Sequence, residues 1–261
     1  NNAFYDCSSL VSVKLPDTSY TIGTRGFGDC TSLINLDFGT GITSFGDGNT
    51  DIFNGCSSLT NVVLPASLET LAAKLFKGCT AIKVVEAKMT DPISLSDTMF
   101  ATESEMTLLV PVGSYDAYDQ DTSWNRFGII KGVFTDETFN YSITDTANAK
   151  VEVVTSPSVS GAVEIPSVVT YSNVEYTVDA IGEYAFYNNI VMTSIEIPDS
   201  MTSIEVYSFS DCIGLTTCSI FLEDPLDIDE TVFANVTLSN VELIVPSTTA
   251  KTAYQAADVW K

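Results

Sequence analysis

The sequence predicts a repeat solenoid that is mainly β, with short helical and irregular segments. Three observations support this fold class: phenylalanine recurs about every 23 residues, each Phe is followed by a fixed apolar pattern, and one closing motif occurs twice. A unit of this length cannot bury its apolar face alone, whereas stacked units can. We therefore expect two tandem arrays, each closed by a C-terminal cap.

The repeat is marked first by its phenylalanines, which fall into two series. They are Phe4, Phe27, Phe53, Phe76 and Phe100, and then Phe186, Phe209 and Phe233. Three residues after Phe most units carry cysteine, at Cys7, Cys30, Cys56, Cys79 and Cys212, while Asn189 takes that place once. A large aliphatic residue and an alternating V-x-L follow, which predicts a short strand with one buried face. Proline then ends the strand at Pro16, Pro65 and Pro198, because it cannot continue a hydrogen-bonded ladder.

The full unit reads F-x-x-C-x-x-L-x-x-V-x-L-P and resembles a leucine-rich repeat. In the form seen at residues 3–16 and in "AFYNNIVMTSIEIP" (185–198), it is similar to the BspA-type leucine-rich repeats of bacterial surface and secreted proteins. The resemblance covers most of the chain. It implies an extracellular or cell-surface location and a role in adhesion to host proteins or in contacts between cells.

Two domains are expected, at 1–132 and 133–261. Both end in a motif with Val-Pro, then Tyr, then Trp six residues later: Tyr118 with Trp124, and Tyr254 with Trp260. We predict a terminal helix over 114–120 and another over 250–257, whose aromatic side chains cover the last rung. The alternative is an aromatic platform for a carbohydrate.

The segment before the second array predicts strands rather than helix. Residues 139–186 are rich in Val, Ile, Tyr and Thr between turn signals, which indicates hairpins that form an N-terminal cap. Residues 131–138 are then expected to be a linker. The first array opens at Phe4 without a comparable beginning, so we expect that its N-terminal part, including any signal segment, is missing.

Composition narrows the function classes. The chain has 34 acidic against 11 basic residues, a net charge of −23, which argues against binding to nucleic acid or to anionic membranes. No apolar run approaches the roughly 18 residues of a membrane span, so no membrane insertion is expected. Histidine is absent, which removes His-based acid–base catalysis and the commonest transition-metal ligand.

The cysteines predict neither a metal site nor a cofactor site. No C-x-x-C pair exists, and Cys218 stands alone at a V position of its rung. Stacked rungs give parallel Cβ vectors, which favour six free, buried thiols over disulfides. Asp47, Asn49 and Asp51 have the opening of a calcium loop but lack its Gly and Glu, so a hydrated acidic loop is predicted there and at 223–230.

The remaining candidate site is the strand face, because residues that flank the inward V and L point outward. The candidate ligand-facing positions are Ser12, Lys14, Asn35, Asp37, Asn61, Val63, Val84, Glu86, Ser194, Glu196, Thr217 and Ser219. An ordinary solvated sheet face is the alternative. We predict a non-catalytic recognition or adhesion module for an extracellular protein or glycan. The alternative is a structural spacer without a ligand of its own. A carboxylate-dependent hydrolase is a third and less favoured function.

Overall fold

The computed structural model describes residues 1–45, 51–155 and 159–260. The chain divides into two compact units, Asn1–Gly132 and Val133–Lys261. In both units, successive short strands pair in parallel at an offset close to one repeat, with turns between them and a short helix near the C-terminal end. The predicted repeat solenoid, mainly β and with capped arrays, is confirmed.

The first unit places one strand in each repeat. Its described strands and helix are β1 (Ser12–Lys14), β2 (Asn35–Asp37), β3 (Asn61–Leu64), β4 (Val84–Ala87), β5 (Thr107–Pro111) and α1 (Tyr115–Gln120), and β6 (Ile129–Thr135) contains the unit boundary. A 3-10 helix lies at Glu103–Glu105. β1 pairs with β2, and β4 pairs with both β3 and β5, all in parallel. Ser12 lies opposite Asn35, one repeat further along the chain, which is the register that one strand per solenoid turn produces.

The V-x-L pattern points its apolar side chains into the core, as predicted. Val62 is 1 % exposed and Leu64 is fully buried, while Asn61 and Val63, which alternate with them, are half-buried. Pro65 follows the strand directly and Pro198 does the same after the strand that ends at Ile197. The sequence alternation therefore identifies both the inner and the outer face of the sheet.

A column of stacked phenylalanines runs along the first array. Phe4 and Phe27 have ring centroids 5.0 Å apart, Phe27 and Phe53 5.4 Å, Phe53 and Phe76 5.7 Å, and Phe76 and Phe100 5.5 Å, with the planes within 15° of parallel. These distances are those of favourable offset aromatic pairs. The regular spacing of the repeat thus gives each rung an aromatic contact with the next.

Each buried repeat cysteine ties its rung to the one before. The thiol donates a hydrogen bond to the main-chain carbonyl of the preceding rung's Phe, and all six cysteines are free. The bonds join Cys30 to Phe4 (3.1 Å), Cys56 to Phe27 (3.3 Å), Cys79 to Phe53 (3.1 Å) and Cys212 to Phe186 (3.0 Å). Asn189 replaces the thiol with its amide, which donates to the Val159 carbonyl at 2.8 Å. Cysteine therefore suits this position for two reasons: its side chain is small, and its thiol is a weak hydrogen-bond donor.

A left-handed residue follows seven of the eight repeat phenylalanines by two positions, the exception being Phe100, where Thr102 has a φ of −154°. The left-handed residue allows the chain to turn sharply between the Phe and the Cys of one rung, and Gly, Asp and Asn are the residues that adopt this conformation most readily. The residues with positive φ at this place are Asp6, Asp29, Gly55, Gly78, Asn188, Asp211 and Asn235. The repeat is thus better written with Asp, Asn or Gly at its third position.

The predicted cap closes the first array. The Tyr118 hydroxyl donates to the Met89 carbonyl at 3.0 Å, and the Trp124 indole N–H donates to the Ile93 carbonyl at 2.6 Å. The two rings meet edge to face at 5.2 Å, and both are fully buried. Because no ring face is accessible, the cap interpretation is confirmed and the carbohydrate platform is excluded for this pair.

The second array ends in the same way, with one difference. Trp260 donates its indole N–H to the Leu226 carbonyl at 2.8 Å and meets Phe233 and Tyr254 edge on. Tyr254 is 1 % exposed, but its hydroxyl has no hydrogen-bond partner among the described residues. Burial raises the pKa of this phenol to about 12.

The second unit begins with antiparallel hairpins and continues as a parallel array. Its described elements are β7 (Asn140–Asp145), β8 (Lys150–Val153), β9 (Gly161–Glu164), β10 (Val168–Tyr171), β11 (Val174–Ile181), β12 (Met192–Ile197), β13 (Ser203–Ile204), β14 (Thr217–Ile220), β15 (Glu242–Ile244) and α2 (Thr248–Ala256), with a 3-10 helix at Leu238–Asn240. β7 pairs antiparallel with β6 and β8, and β10 pairs antiparallel with β11. β11 also pairs in parallel with β8 and β13. The predicted hairpins are confirmed.

The predicted linker at 131–138 is wrong over most of its length. β6 covers Ile129–Thr135, and its end pairs with β7, with Val133 opposite Ser142. Ile129, Ile130, Val133 and Phe134 supply the β-branched and aromatic residues that a strand favours. The turn signals in this stretch begin only after Thr135.

Candidate functional site

The outer face of the sheet in the first unit is built from two rows of side chains. In one row Ser12 lies opposite Asn35, and in the other Lys14 lies opposite Asp37. Asn61 and Val63 hold the equivalent outward positions of β3, which pairs with β4. Ser12, Lys14, Asn35 and Asp37 are exposed, while Asn61 and Val63 are half-buried. These six predicted positions therefore lie at the surface of the unit.

The charges on this face are paired with each other. Lys14 Nζ lies 2.8 Å from Asp37 Oδ2 across the β1–β2 pair, with 75 % and 53 % of the side chains exposed. The hydrogen bond from Lys14 lowers the pKa of the Asp37 carboxyl, and the same bond raises the pKa of the Lys14 amine. Such an exposed pair adds little stability, but it leaves this part of the face without a net charge.

Two of the predicted ligand-facing residues are not accessible. Val84 is 4 % and Glu86 6 % exposed. β4 lies between two hydrogen-bonded neighbours, which place Val63 and the buried Leu109 on either side of Glu86. Lys88 Nζ lies 3.7 Å from the Glu86 carboxylate. The prediction for these two positions is wrong, because the sequence pattern gives the direction of a side chain but not the depth of its neighbours.

The second unit presents a wider face, formed by the parallel strands β9, β12, β14 and β15. One outward row is Ala162, Ser194, Thr217 and Glu242, and the next is Glu164, Glu196, Ser219 and Ile244. Ser194, Thr217 and Ser219 are half-buried and Glu196 is exposed. All four predicted positions of this unit thus lie side by side on one sheet.

An exposed apolar patch, which the repeat pattern does not predict, extends this face. It comprises Phe221 (51 % exposed), Ile244 (46 % exposed) and the exposed Pro246. Phe221 directly follows β14, and its main-chain N–H still bonds to the Ile197 carbonyl, so alternation directs its side chain outward. The signal in the sequence was that Phe221 occupies the place where other rungs carry the strand-ending proline.

The two units differ in charge as well. The second unit contains 19 of the 34 acidic residues but three of the 11 basic ones, a net charge of −16 out of −23. Its strand face carries Glu164, Glu196 and Glu242 and no lysine or arginine at an outward position of the four strands. Glu164 and Glu196 are register neighbours, so two like charges lie next to each other.

The groups considered for metal binding and nucleophilic chemistry are occupied in structural roles. Among the described residues, no three Cys, Asp or Glu side chains are close enough to hold a metal ion. Asp47 and Asn49 of the calcium-like loop lie outside the described residues, and Asp51 accepts a hydrogen bond from Asn54 at 3.3 Å. Burial raises the pKa of the Cys212 and Cys218 thiols to about 12, which keeps them protonated and unreactive.

Comparison with known proteins identifies the repeat. A family model described as "BspA type Leucine rich repeat region" matches residues 1–109 and 163–256 in six copies. A search of curated proteins finds no significant match. Within the described ranges, no helix is both long enough and apolar enough to cross a membrane.

Several solved structures of leucine-rich repeat proteins are similar at low identity. A leucine rich cell surface protein from Faecalibacterium prausnitzii is 17 % identical over 97 % of this chain and 78 % of its own, with a TM-score of 0.33. A leucine-rich repeat protein from Bacteroides capillosus is 20 % identical over 44 % of this chain and 99 % of its own, also with a TM-score of 0.33. A leucine-rich repeat protein from Eubacterium ventriosum is 15 % identical over 93 % and 74 %, with a TM-score of 0.30. The family match and the stacked rungs, rather than these superpositions, define the fold.

Proposed function

Because the chain belongs to the BspA-type leucine-rich repeat family, we propose that it is a non-catalytic recognition module of a secreted or cell-surface bacterial protein. The ligand is an extracellular protein or glycan that lies along the strand faces. The observation that carries this proposal is the in-register rows of small and polar side chains on open sheet faces, such as Ser12 with Asn35 and Ser194 with Thr217. Solenoids commonly bind along such surfaces.

Catalysis is the weaker explanation. Hydrolysis by paired carboxylates needs a cleft with a carboxyl group on either side of the substrate. Glu164 and Glu196 are instead lateral neighbours on one sheet. Five of the six thiols are buried, four of these donate to main-chain carbonyls, and the sequence has no histidine to act as a base for any of them.

The first unit also fits a spacer. Its charged pair, Lys14 and Asp37, is internally neutralised, and two of its outward side chains are buried. A structural spacer without a ligand of its own is therefore the second candidate function. The two functions differ in whether any ligand binds saturably.

The test is a binding screen with the full chain against extracellular-matrix proteins and a glycan panel. The face variant combines Asn61→Arg and Thr217→Arg, which place bulky charges on the outer rows of both units, and Thr146→Arg in an exposed turn is the matched control. A recognition module predicts at least one saturable ligand whose affinity falls by about tenfold or more in the face variant and is unchanged in the control. Absence of any saturable ligand would favour the spacer.

A further inference from the structure

The strand face of the second unit combines an apolar patch with uncompensated negative charge, and the two features are adjacent. Phe221, Ile244 and Pro246 form the patch on and beyond β14 and β15. Glu196 lies on β12, beside β14, and Glu164 lies on β9, beside β12. With strands about 4.8 Å apart, the glutamates and the patch fall within about 15 Å of each other.

The patch is larger than an isolated exposed residue. Single exposed apolar side chains are normal on protein surfaces, but here the exposed residues are close neighbours on one sheet. Ile244 is opposite Ser219 in the register, and Phe221 is two residues beyond Ser219 on the same side. Such a diagonal pair is within reach of an aromatic side chain. The patch therefore provides an anchor for one apolar side chain of a partner.

The negative charges on this face favour a partner that carries a positively charged side chain beside its apolar one. Glu164 and Glu196 repel each other across one strand spacing, so a cation between them lowers the free energy of the bound state. In the first unit, the corresponding outward charge is already neutralised by Lys14, and the second unit has no such lysine on its face. A second copy of this chain fits poorly, because a unit of net charge −16 repels its like.

We propose that the face formed by β9, β12, β14 and β15 binds an extended basic segment of a partner protein. An aliphatic or aromatic side chain of the segment packs on Phe221 and Ile244, and a lysine or arginine lies at Glu164 and Glu196. Alternate residues of an extended chain are about 6.6 Å apart, so a long basic side chain two residues from the apolar one spans the distance. This inference rests on the proposed function and names the partner for one of its two faces.

The experiment measures fluorescence anisotropy of a labelled eight-residue peptide that alternates Lys with Val and contains one Phe, titrated with the full chain. Ionic strength is held near about 0.15 M, where diffuse charge is screened beyond about 8 Å. Two variants test the face: Glu164→Gln with Glu196→Gln, and Phe221→Ser with Ile244→Thr. The control variant is Val174→Ser with Glu175→Gln, which removes an exposed valine and an exposed glutamate from β11 in the other sheet.

We expect each face variant to weaken peptide binding by about tenfold and the control to stay within about twofold of the original. A peptide with Ser in place of the apolar residues should bind about tenfold more weakly, and one with Glu in place of Lys should not bind. Urea midpoints of all variants verify that they are folded. The proposal would be overturned if the face and control variants lost the same amount of peptide affinity. It would also be overturned if the peptide with Ser in place of the apolar residues bound as tightly as the original peptide.

The same variants separate this inference from the proposed function. Suppose that Thr217→Arg abolishes binding of a ligand from the screen, but that neither the Glu→Gln pair nor competition by the Lys–Val peptide changes its affinity. This result would contradict a basic partner, while the proposed recognition function would remain supported. A neutral glycan that behaves in this way has the same consequence. A screen ligand displaced by the peptide and weakened by the Glu→Gln pair supports both.

Discussion

At the scale of single residues, the cysteines show how a pattern can be predicted correctly for an incomplete reason. Their fixed register predicts free, buried thiols, and five of the six are buried, whereas Cys7 is half-buried. The hydrogen bonds from four of the thiols to the preceding Phe carbonyl could not be predicted, because they require the distance between rungs. Asn189 was the available signal, since an amide and a thiol share donor capacity but little else.

Thiol accessibility should follow this arrangement. In denaturant, a thiol reagent at about pH 8 should label six cysteines, whereas in the native protein Cys7 should react first and the other five only as the chain unfolds. The rate is measured by absorbance of the released chromophore. Cys7→Ser should remove the fast phase, and a fast phase that survives this substitution would show that another thiol is accessible.

Alkaline pH should destabilise the protein through the buried thiols. The folded-state pKa of Cys212 and Cys218 is about 12 against an ordinary value of 9.0, so from about pH 9 upward the unfolded chain loses protons that the folded chain keeps. This stabilisation is complete below pH 9 and declines as pH rises, by up to about 1.4 kcal/mol per pH unit for each thiol. Urea midpoints between pH 8 and 10 measure it.

The matched variant for this effect is Cys212→Ala with Cys218→Ala. It lowers stability at every pH because it leaves small cavities, but its stability should depend less steeply on pH above about 9. Equal slopes in the two proteins would assign the alkaline loss to other groups.

At the scale of elements, the boundaries that the sequence predicted best are those set by backbone chemistry. Pro65 and Pro198 follow the ends of their strands because they lack a main-chain donor, and both terminal helices lie within two residues of their expected positions. β6 was missed because its β-forming residues stand next to a cap rather than in a repeat. The depth of Glu86 was missed because burial depends on the strands on either side, which one strand's pattern does not contain.

The two cap helices make a matched pair for testing an N-cap. Ser247 accepts a hydrogen bond from the Ala250 N–H at 3.0 Å and donates to Glu223 at 2.6 Å, whereas Ser114 makes no side-chain cap bond to α1. Ser247→Ala should therefore cost about 1 kcal/mol of unfolding free energy, and Ser114→Ala less. Urea denaturation followed by tryptophan fluorescence measures both, and a larger loss for Ser114→Ala would contradict the assignment.

At the scale of the whole molecule, charge is unevenly shared between similar architectures. The second unit carries −16 of the −23 net charge although the units are of almost equal length. Composition alone predicted an acidic, self-repelling surface. Rung alignment predicted twelve outward positions, and ten of these are exposed or half-buried in the structure. The repeat pattern does not predict the apolar patch, because Phe221 departs from it at the position where other rungs have proline.

Stability of the whole chain should rise with salt. Self-repulsion among the 34 carboxylates is strong at about 0.01 M ionic strength and is largely screened at about 0.2 M, so the urea midpoint should increase over this range. Replacing two exposed acids of the second unit, Glu175→Lys with Glu230→Lys, should raise the low-salt midpoint and flatten its salt dependence. A midpoint that does not change with salt would mean that the repulsion is already offset in the folded state.

The two closing motifs have a consequence for how such a chain changes over evolution. Trp124 and Trp260 donate to the carbonyls of Ile93 and Leu226, which lie a few residues before Phe100 and Phe233, the last members of their columns. Because each cap forms these hydrogen bonds with the neighbouring part of its array, its packing does not depend on the number of repeats that precede it. Gene segments that encode whole repeats can therefore be duplicated or deleted in the interior of an array, which changes the reach of the protein while its ends keep their fit.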